Sequence, residues 1–423
     1  MAPTMYYVSD AGDDISGDGT SSAPWATLVH ALDSSGGAAG GGIDDAVNGV
    51  QINCHGTISA SRSIDLGAEY AGGPTATAPL ILKGWDGESV DEGNAPVGEK
   101  FTYSGAFGLS PGTTYTAFFE EDTFPTSDVI FTDFIFTGDS TAHDKIFILG
   151  GNRWTFMDCV FQTSGAPMTG ATKTIELLDD AKFINCTFKR LGLQTDGSSA
   201  GHNVISVEQR STFYGCHFDF DTYSQAPYSC IKFSYDPSMS ASVGPHYIIG
   251  CIFQCGDAIP IHFGTNVEET VFVLNSSFIS DSSNLTSLMG GSNEDSSFYI
   301  YSNVATGFNK ALGAGKSNWD CFTGGNSAYN NTNNFPTTGN VWHEAIGTND
   351  DNIALGVGEA PLTSSNIPQS AIEDSGSREG VLGVAYPNYI GSNAENRASK
   401  DRGAAQKAAI VPNKVTSSVS GIF

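Results

Sequence analysis

Phe131-Thr132-Asp133-Phe134-Ile135-Phe136, Phe156-Met157-Asp158-Cys159-Val160-Phe161 and Phe183-Ile184-Asn185-Cys186-Thr187-Phe188 are three copies of one phrase. It returns as Phe213-Tyr214-Gly215-Cys216-His217-Phe218, Ile248-Ile249-Gly250-Cys251-Ile252-Phe253 and Val273-Leu274-Asn275-Ser276-Ser277-Phe278, with a shorter copy at Tyr301-Ser302-Asn303-Val304. Taking the third residue as the marker, the copies are 25, 27, 30, 35, 25 and 28 residues apart. A period in this range with tolerated insertions marks a solenoid. Asp, Asn and Gly enter the left-handed α region at least cost, so a column of them between apolar residues predicts one sharp bend per repeat. The flanking Phe, Ile, Val, Tyr and Cys suit strands, and no helical spacing of apolar residues runs between Val129 and Val304.

Each repeat carries a further apolar run upstream of its bend: Ile146–Leu149, Thr174–Leu177, Val204–Val207, Ile231–Phe233 and Ile259–Phe263. Stacking equivalent runs predicts parallel sheets lined by ladders of like residues, each buried side chain contributing about 1.5–3 kcal/mol. The predicted fold is all-β, a single-stranded right-handed parallel β-helix, the hand following from the rule for parallel crossovers. The chain divides into an entry (1–45) with a strand, an acidic loop and a short capping helix, the coils (46–304), and a loop-rich remainder (305–423) with final coils, an irregular C-terminal cap and a tail.

Composition agrees with an elongated, turn-rich β protein: 423 residues hold 50 Gly but only 19 Lys plus Arg. The net charge of −27 repels phosphate backbones and anionic headgroups, which excludes nucleic acid as a partner, and no run of 18 apolar residues predicts membrane insertion. Met1–Val8 has neither a basic nor an apolar leader region, so no secretion signal is expected.

Cys159, Cys186, Cys216 and Cys251 share one inward slot of successive coils, where side chains stack in parallel rather than face one another. They are expected to be reduced core fillers. Cys54, Cys230, Cys255 and Cys321 are spaced too irregularly for zinc, and Cys251/Cys255 lacks a second pair. Asn185-Cys186-Thr187 matches a glycosylation acceptor but lies on a packed bend, where occupancy is not expected.

The entry reads Tyr6-Tyr7-Val8, an acidic glycine-rich loop to Thr20, then Ser22-Ala23-Pro24-Trp25-Ala26-Thr27-Leu28, where Ser22 is placed to cap a short amphipathic helix with Pro24 in its first turn. That helix would cover the strand edge of the first coil. Strands resume in Val50-Gln51-Ile52, Gly56-Thr57-Ile58 and Ala78-Pro79-Leu80-Ile81-Leu82-Lys83-Gly84. This succession resembles the entry of the pectate-lyase-like family of right-handed parallel β-helix proteins over residues 5–86, and the repeat extends the likeness to about 304. Lys400-Asp401-Arg402-Gly403-Ala404 is similar to the phrase that closes such helices. The resemblance implies the fold and a set of roles: secreted polysaccharide lyase or hydrolase, surface protein, or tailspike or decoration protein of a bacterial virus.

Gly313–Asn340 is rich in Gly, Ser, Asn and Thr and is expected to be a large loop. Val341–Ile390 offers short final strands, and Ala394–Val411 has some helical character. Among chemical groups, a lyase needs a cation facing a uronate carboxylate and a base beside it. Arg210 and Lys232 on neighbouring coils, with Asp236 near them, are the candidates, against the plainer reading of isolated charges on a solvated wall. A hydrolase would need paired carboxylates, for which Asp179/Asp180 and Asp219/Asp221 are eligible. His202, His217, His246 and His262 form no nucleophile pattern, with His217 expected to point outward. Asp10, Asp13, Asp14 and Asp18 offer oxygens for Ca2+, although Asp and Gly also make plain turns. No other cofactor is required.

Three roles follow. The first is a non-enzymatic structural, decoration or attachment protein of a virus particle, partnered by other virion proteins or a cell-surface glycan, with homo-oligomers compatible. The second is an extracellular polysaccharide lyase or glycoside hydrolase, against which the net charge weighs. The third is a carbohydrate-binding surface protein using Tyr223, Tyr228 and Tyr235.

Overall fold

A computed structural model describes residues 3–32 and the strands and corners between residues 49 and 342; the longer connections among them and residues 343–423 lie outside it. Three sheets emerge, of twelve, ten and eight strands, and every recorded strand pair is parallel. The chain visits them in rotation: Val129–Thr132 in the first, Phe134–Gly138 in the second, Ile148–Gly150 in the third, then Thr155–Met157 in the first again. This is the parallel β-helix that the period predicts.

The bend occurs where the marker column places it. Asp133, Asp158, Asn185, Gly215, Gly250 and Asn275 all have φ between 49° and 63° and join the first sheet to the second. The backbone ladder runs through the corner, since each marker N–H donates to the next coil, as from Asp158 to the Ile184 carbonyl at 2.9 Å. The strict register then stacks the core. Phe131, Phe156, Phe183 and Phe213 form one file at 5.1 Å per step. A second file runs through Phe136, Phe161, Phe188, Phe218, Phe253 and Phe278 at 4.6–5.1 Å. These steps match the spacing of neighbouring strands, so the sheet itself sets the ring stacking.

Three expectations need correction. Asn303 is not a corner marker, because Ser277 pairs with Val304, which puts Asn303 level with Ser276 in the inward slot of the cysteines. The loop expected across Gly313–Asn340 contains the strands Trp319–Gly324 and Ser327–Tyr329, and the first sheet continues to Asn340–Trp342. Weak local propensity is overridden there by the ladder hydrogen bonds that a preceding coil offers. The capping helix spans only Leu28–Leu32 and starts from Thr27, whose Oγ1 accepts the His30 N–H at 3.0 Å, not from Ser22. Ahead of it Trp25 is extended: it bridges Val8 and stacks on Tyr6 at 5.2 Å. It is therefore Trp25, with the helix following, that covers part of the first strand's edge. Leu28, Ala31 and Leu32 bury their side chains in the core of the solenoid. The closing phrase at Lys400–Ala404 and the helical stretch at Ala394–Val411 lie outside the described residues.

Candidate functional site

The inward slot explains why small polarizable residues recur beside the bend. Turning through the left-handed region leaves the buried N–H just after each marker without a strand partner, while the carbonyl two residues before the marker, already in the ladder, turns a second lone pair to the slot. Cys159, Cys186, Cys216 and Cys251 solve this with one atom. Their thiols donate to the Phe131, Phe156, Phe183 and Phe213 carbonyls at 3.7, 3.4, 3.3 and 3.4 Å. The Phe134, Cys159 and Cys186 N–H groups in turn donate to the sulfurs of Cys159, Cys186 and Cys216. All eight cysteines are reduced and buried, and burial pushes the Cys54, Cys159, Cys186 and Cys216 thiols well up, so none of these four supplies a thiolate near neutral pH.

Further along, the same slot holds Ser276, Asn303 and Asn326. Asn303 donates to the Val273 carbonyl and accepts the Ser276 N–H, both at 2.8 Å, while Asn326 donates to the Ile300 carbonyl at 2.8 Å and accepts the Asn303 N–H at 2.9 Å. This file is structural throughout.

Charged candidates sort by corner. Where the third sheet returns to the first, register aligns Asp128, Arg153, Asp180 and Arg210, just ahead of their first-sheet strands, and the first three have positive φ. Arg153 makes a two-pronged pair with Asp128 at 2.8 Å per contact. Arg210 does the same with Asp179 at 3.1 and 2.7 Å, and Lys182 lies 3.6 Å from Asp180. The carboxylates beside Arg153 and Arg210 hold both guanidinium groups above their ordinary range. Arg153 with Asp128 and Arg210 with Asp179 thus knit coils together, while Asp180 pairs with Lys182 within its own coil. The alternating Asp/Arg file was within reach of sequence reading, because each member stands five residues before a corner marker, at Asp133, Asp158, Asn185 and Gly215, and so shares its spacing.

On the opposite corner, Asp133 and Asp158 neighbour each other on adjacent coils, and partial burial, then the Asp133 charge, raises the Asp158 carboxyl. Lys100 Nζ donates to the Asp158 backbone carbonyl. The backbone turn already demands Asp or Asn here, so the fold accounts for these residues without a ligand.

The acidic entry loop is likewise engaged locally. Asp13 accepts the Ile15 N–H at 2.9 Å and the Ser16 hydroxyl, and Asp18 accepts the Thr20 N–H at 3.0 Å. Those bonds hold both carboxyls below their usual range. Asp14 accepts the Ala26 and Thr27 N–H groups at 2.7 and 3.0 Å, and Asp10 accepts the Thr57 N–H at 3.1 Å. The four carboxylates serve separate turns, and among the described residues no three His, Cys, Asp or Glu are arranged to hold a metal ion.

One cluster is not dictated by the backbone. On the third sheet, Lys232 of Ser229–Phe233 pairs in register with His262 of Ile259–Phe263, and Ser206 and Gly290 flank them on either side. The Tyr228 hydroxyl lies 3.5 Å from His262 Nε2, with the rings edge-on at 5.0 Å. Burial, and then the Lys232 charge, lowers the His262 pKa from 6.5 to about 4, so its imidazole is neutral at physiological pH. Nδ1 of His262 is buried with no hydrogen-bond partner recorded for it. Strand positions here would accept many side chains, so a Tyr, a Lys and a neutral His together constitute the candidate site. Sequence named all three but kept them apart, Lys232 as a lyase cation, Tyr228 as part of a glycan platform and His262 as a histidine without a nucleophile pattern; the structure brings together Lys232 and the residues 4 before and 30 after it.

Arg210 does not join them: it follows by four residues Ser206, which pairs with Lys232. His217 is half-buried on the second sheet with Nε2 2.5 Å from Gln254 Oε1, and His246 is fully buried with Nδ1 2.8 Å from the Ser211 hydroxyl. A serine–histidine contact closed off in the core has no route to substrate. Asp219 lies on the strand His217–Asp219. Asp221, Asp236, Tyr223, Tyr235 and His202 lie outside the described residues.

No family model matches the chain, and no curated protein matches it. Among solved structures it is similar to a rhamnogalacturonan lyase, with a TM-score of 0.33 and 10% sequence identity, covering 91% of this chain and 94% of that one.

Proposed function

We propose that this protein is a non-catalytic structural or attachment component of a virus particle, built as a rigid β-helix of the pectate-lyase-like kind and displayed on a bacterial virus. The observation that carries the reading is the use made of charge. Arg153 and Arg210 are paired to carboxylates along a corner, where they bind coil to coil and reinforce the rod, while the entry-loop acids serve as turn caps. Continuous Phe files and a buried thiol slot add stiffness. The partners are other virion proteins or a glycan on the cell surface. Mass spectrometry of purified particles, with antibody labelling in the electron microscope, tests it; finding the protein only in the medium as a soluble factor overturns it.

A second reading is favoured by Tyr228, Lys232 and His262. A neutral imidazole accepts a proton, a phenol donates one and an ammonium faces a carboxylate, which are the three requirements of β-elimination on a uronate. In that reading a polyuronate screened for new unsaturated ends shows turnover, lost in both Tyr228→Phe and His262→Ala. Turnover unchanged in both variants would exclude this cluster.

A further inference from the structure

Cys230 and Cys255 stand apart from the other thiols. Neither occupies the inward slot: Cys230 lies within the strand Ser229–Phe233, and Cys255 lies where the second sheet gives way to the third, one coil on. Their sulfurs are 3.7 Å apart, and both side chains are fully buried. In the slot, register holds Cα–Cβ bonds parallel from coil to coil, an arrangement poorly suited to a disulfide. Because Cys230 and Cys255 occupy non-equivalent positions, that constraint does not apply to them. The residue after Cys255 is Gly256, at φ 53°, followed by a turn closed by the Ala258 N–H on the Cys255 carbonyl at 2.9 Å. A short glycine turn lets Cys255 shift its sulfur without dragging a strand.

We propose that Cys230 and Cys255 are a disulfide-forming pair, reduced in a thiol-rich cell and cross-linked when the protein meets a low-molecular-weight disulfide such as oxidised glutathione. One protein thiolate attacks the glutathione disulfide and expels a glutathione thiolate; the second protein sulfur attacks the resulting mixed disulfide and expels the other. One S–S bond forms in the protein as one breaks in the reagent. The two thiol protons pass to the two glutathione thiolates, so the protein is oxidised by two electrons and the reagent reduced by two. The bond would staple one coil to the next, a link useful only outside the reducing cell. This inference is independent of either functional reading.

The test is the full-length protein incubated with oxidised glutathione, and separately refolded in a glutathione redox buffer, then alkylated in denaturant and peptide-mapped. Six of the eight cysteines remain alkylatable, and the Cys230 and Cys255 peptides are recovered joined. Cys230→Ser and Cys255→Ser each abolish the joined species and restore full alkylation of the remaining cysteines, with circular dichroism unchanged. The oxidised protein melts at higher temperature than the reduced one, and that difference disappears in either variant. Eight alkylatable cysteines after both treatments, or cross-links within Cys159, Cys186, Cys216 and Cys251, overturn the proposal.

Discussion

Two lengths of one inward file, Cys159–Cys251 and Ser276–Asn326, meet the same demand by different chemistry. In both, one side chain per coil donates to a buried carbonyl of the preceding coil and accepts the N–H that the turn there leaves unpaired. Thiols do this weakly, at 3.3–3.7 Å, beside files of stacked phenyl rings. Asparagines do it with full-strength bonds at 2.8–3.0 Å in the coils after the second Phe file reaches Phe278, where Ala305 and Ala328 continue its register. Where the rings supply the cohesion, the slot need only avoid an unsatisfied polar group; where small residues replace them, the slot itself must hold the coils. The lesson is that a solenoid can exchange dispersion for hydrogen bonding along its axis while keeping its backbone unchanged.

The comparison breaks most visibly at the rings. Phe183→Ala, which opens a hole in the middle of the first file, is expected to destabilise the protein by about 4 kcal/mol in urea titration. A loss below about 1 kcal/mol would show that the rings are not the source of cohesion. At the slot, Asn303→Ala strands the Ser276 N–H and removes a second bond from the Val273 carbonyl, with an expected loss of about 3 kcal/mol, against about 1 kcal/mol for Cys186→Ala. Equal losses would erase the distinction between the two lengths.

An acid titration sharpens it further, because a carboxamide and a thiol with a raised pKa are both silent below neutrality. His262 on the outer wall is not. Its folded pKa of about 4 lies below the ordinary 6.5, so the unfolded chain takes up the proton first. Its contribution is full above pH 6.5 and is lost as pH falls towards 4, amounting to about 2 kcal/mol once its partial exposure is discounted. Subtracting the pH–stability curve of His262→Gln from that of the parent isolates the effect; a flat difference would refute it. The smallest effect belongs to Arg210→Ala, whose side chain is half exposed: at most about 1 kcal/mol, fading in high salt.

Among the functional residues, Lys232 was legible as an outward cation because its strand was recognisable, and Tyr228 and His262 were each noticed for other reasons, but nothing local joined the three. Their proximity depends on coil length, and the distances from Lys232 to each carry no motif. The alternating Asp128, Arg153, Asp180 and Arg210 file was legible by contrast, five residues ahead of each corner marker; it is the alternation of charge, not the spacing, that conceals it from a search for like residues.

By itself the sequence determined the winding: an Asp, Asn or Gly recurring between apolar strands leaves the backbone one inexpensive way to turn, and the turn repeats wherever the residue does. It also determined the inward slot, since a small residue beside the bend must face the core. Only the tertiary structure decided which coil-to-coil neighbours touch. Register between strands is set by the ladder of hydrogen bonds along the whole stack, which placed Asn303 in the slot, drew Trp319–Gly324 into a sheet and brought Cys230 to Cys255 across positions that share no local pattern.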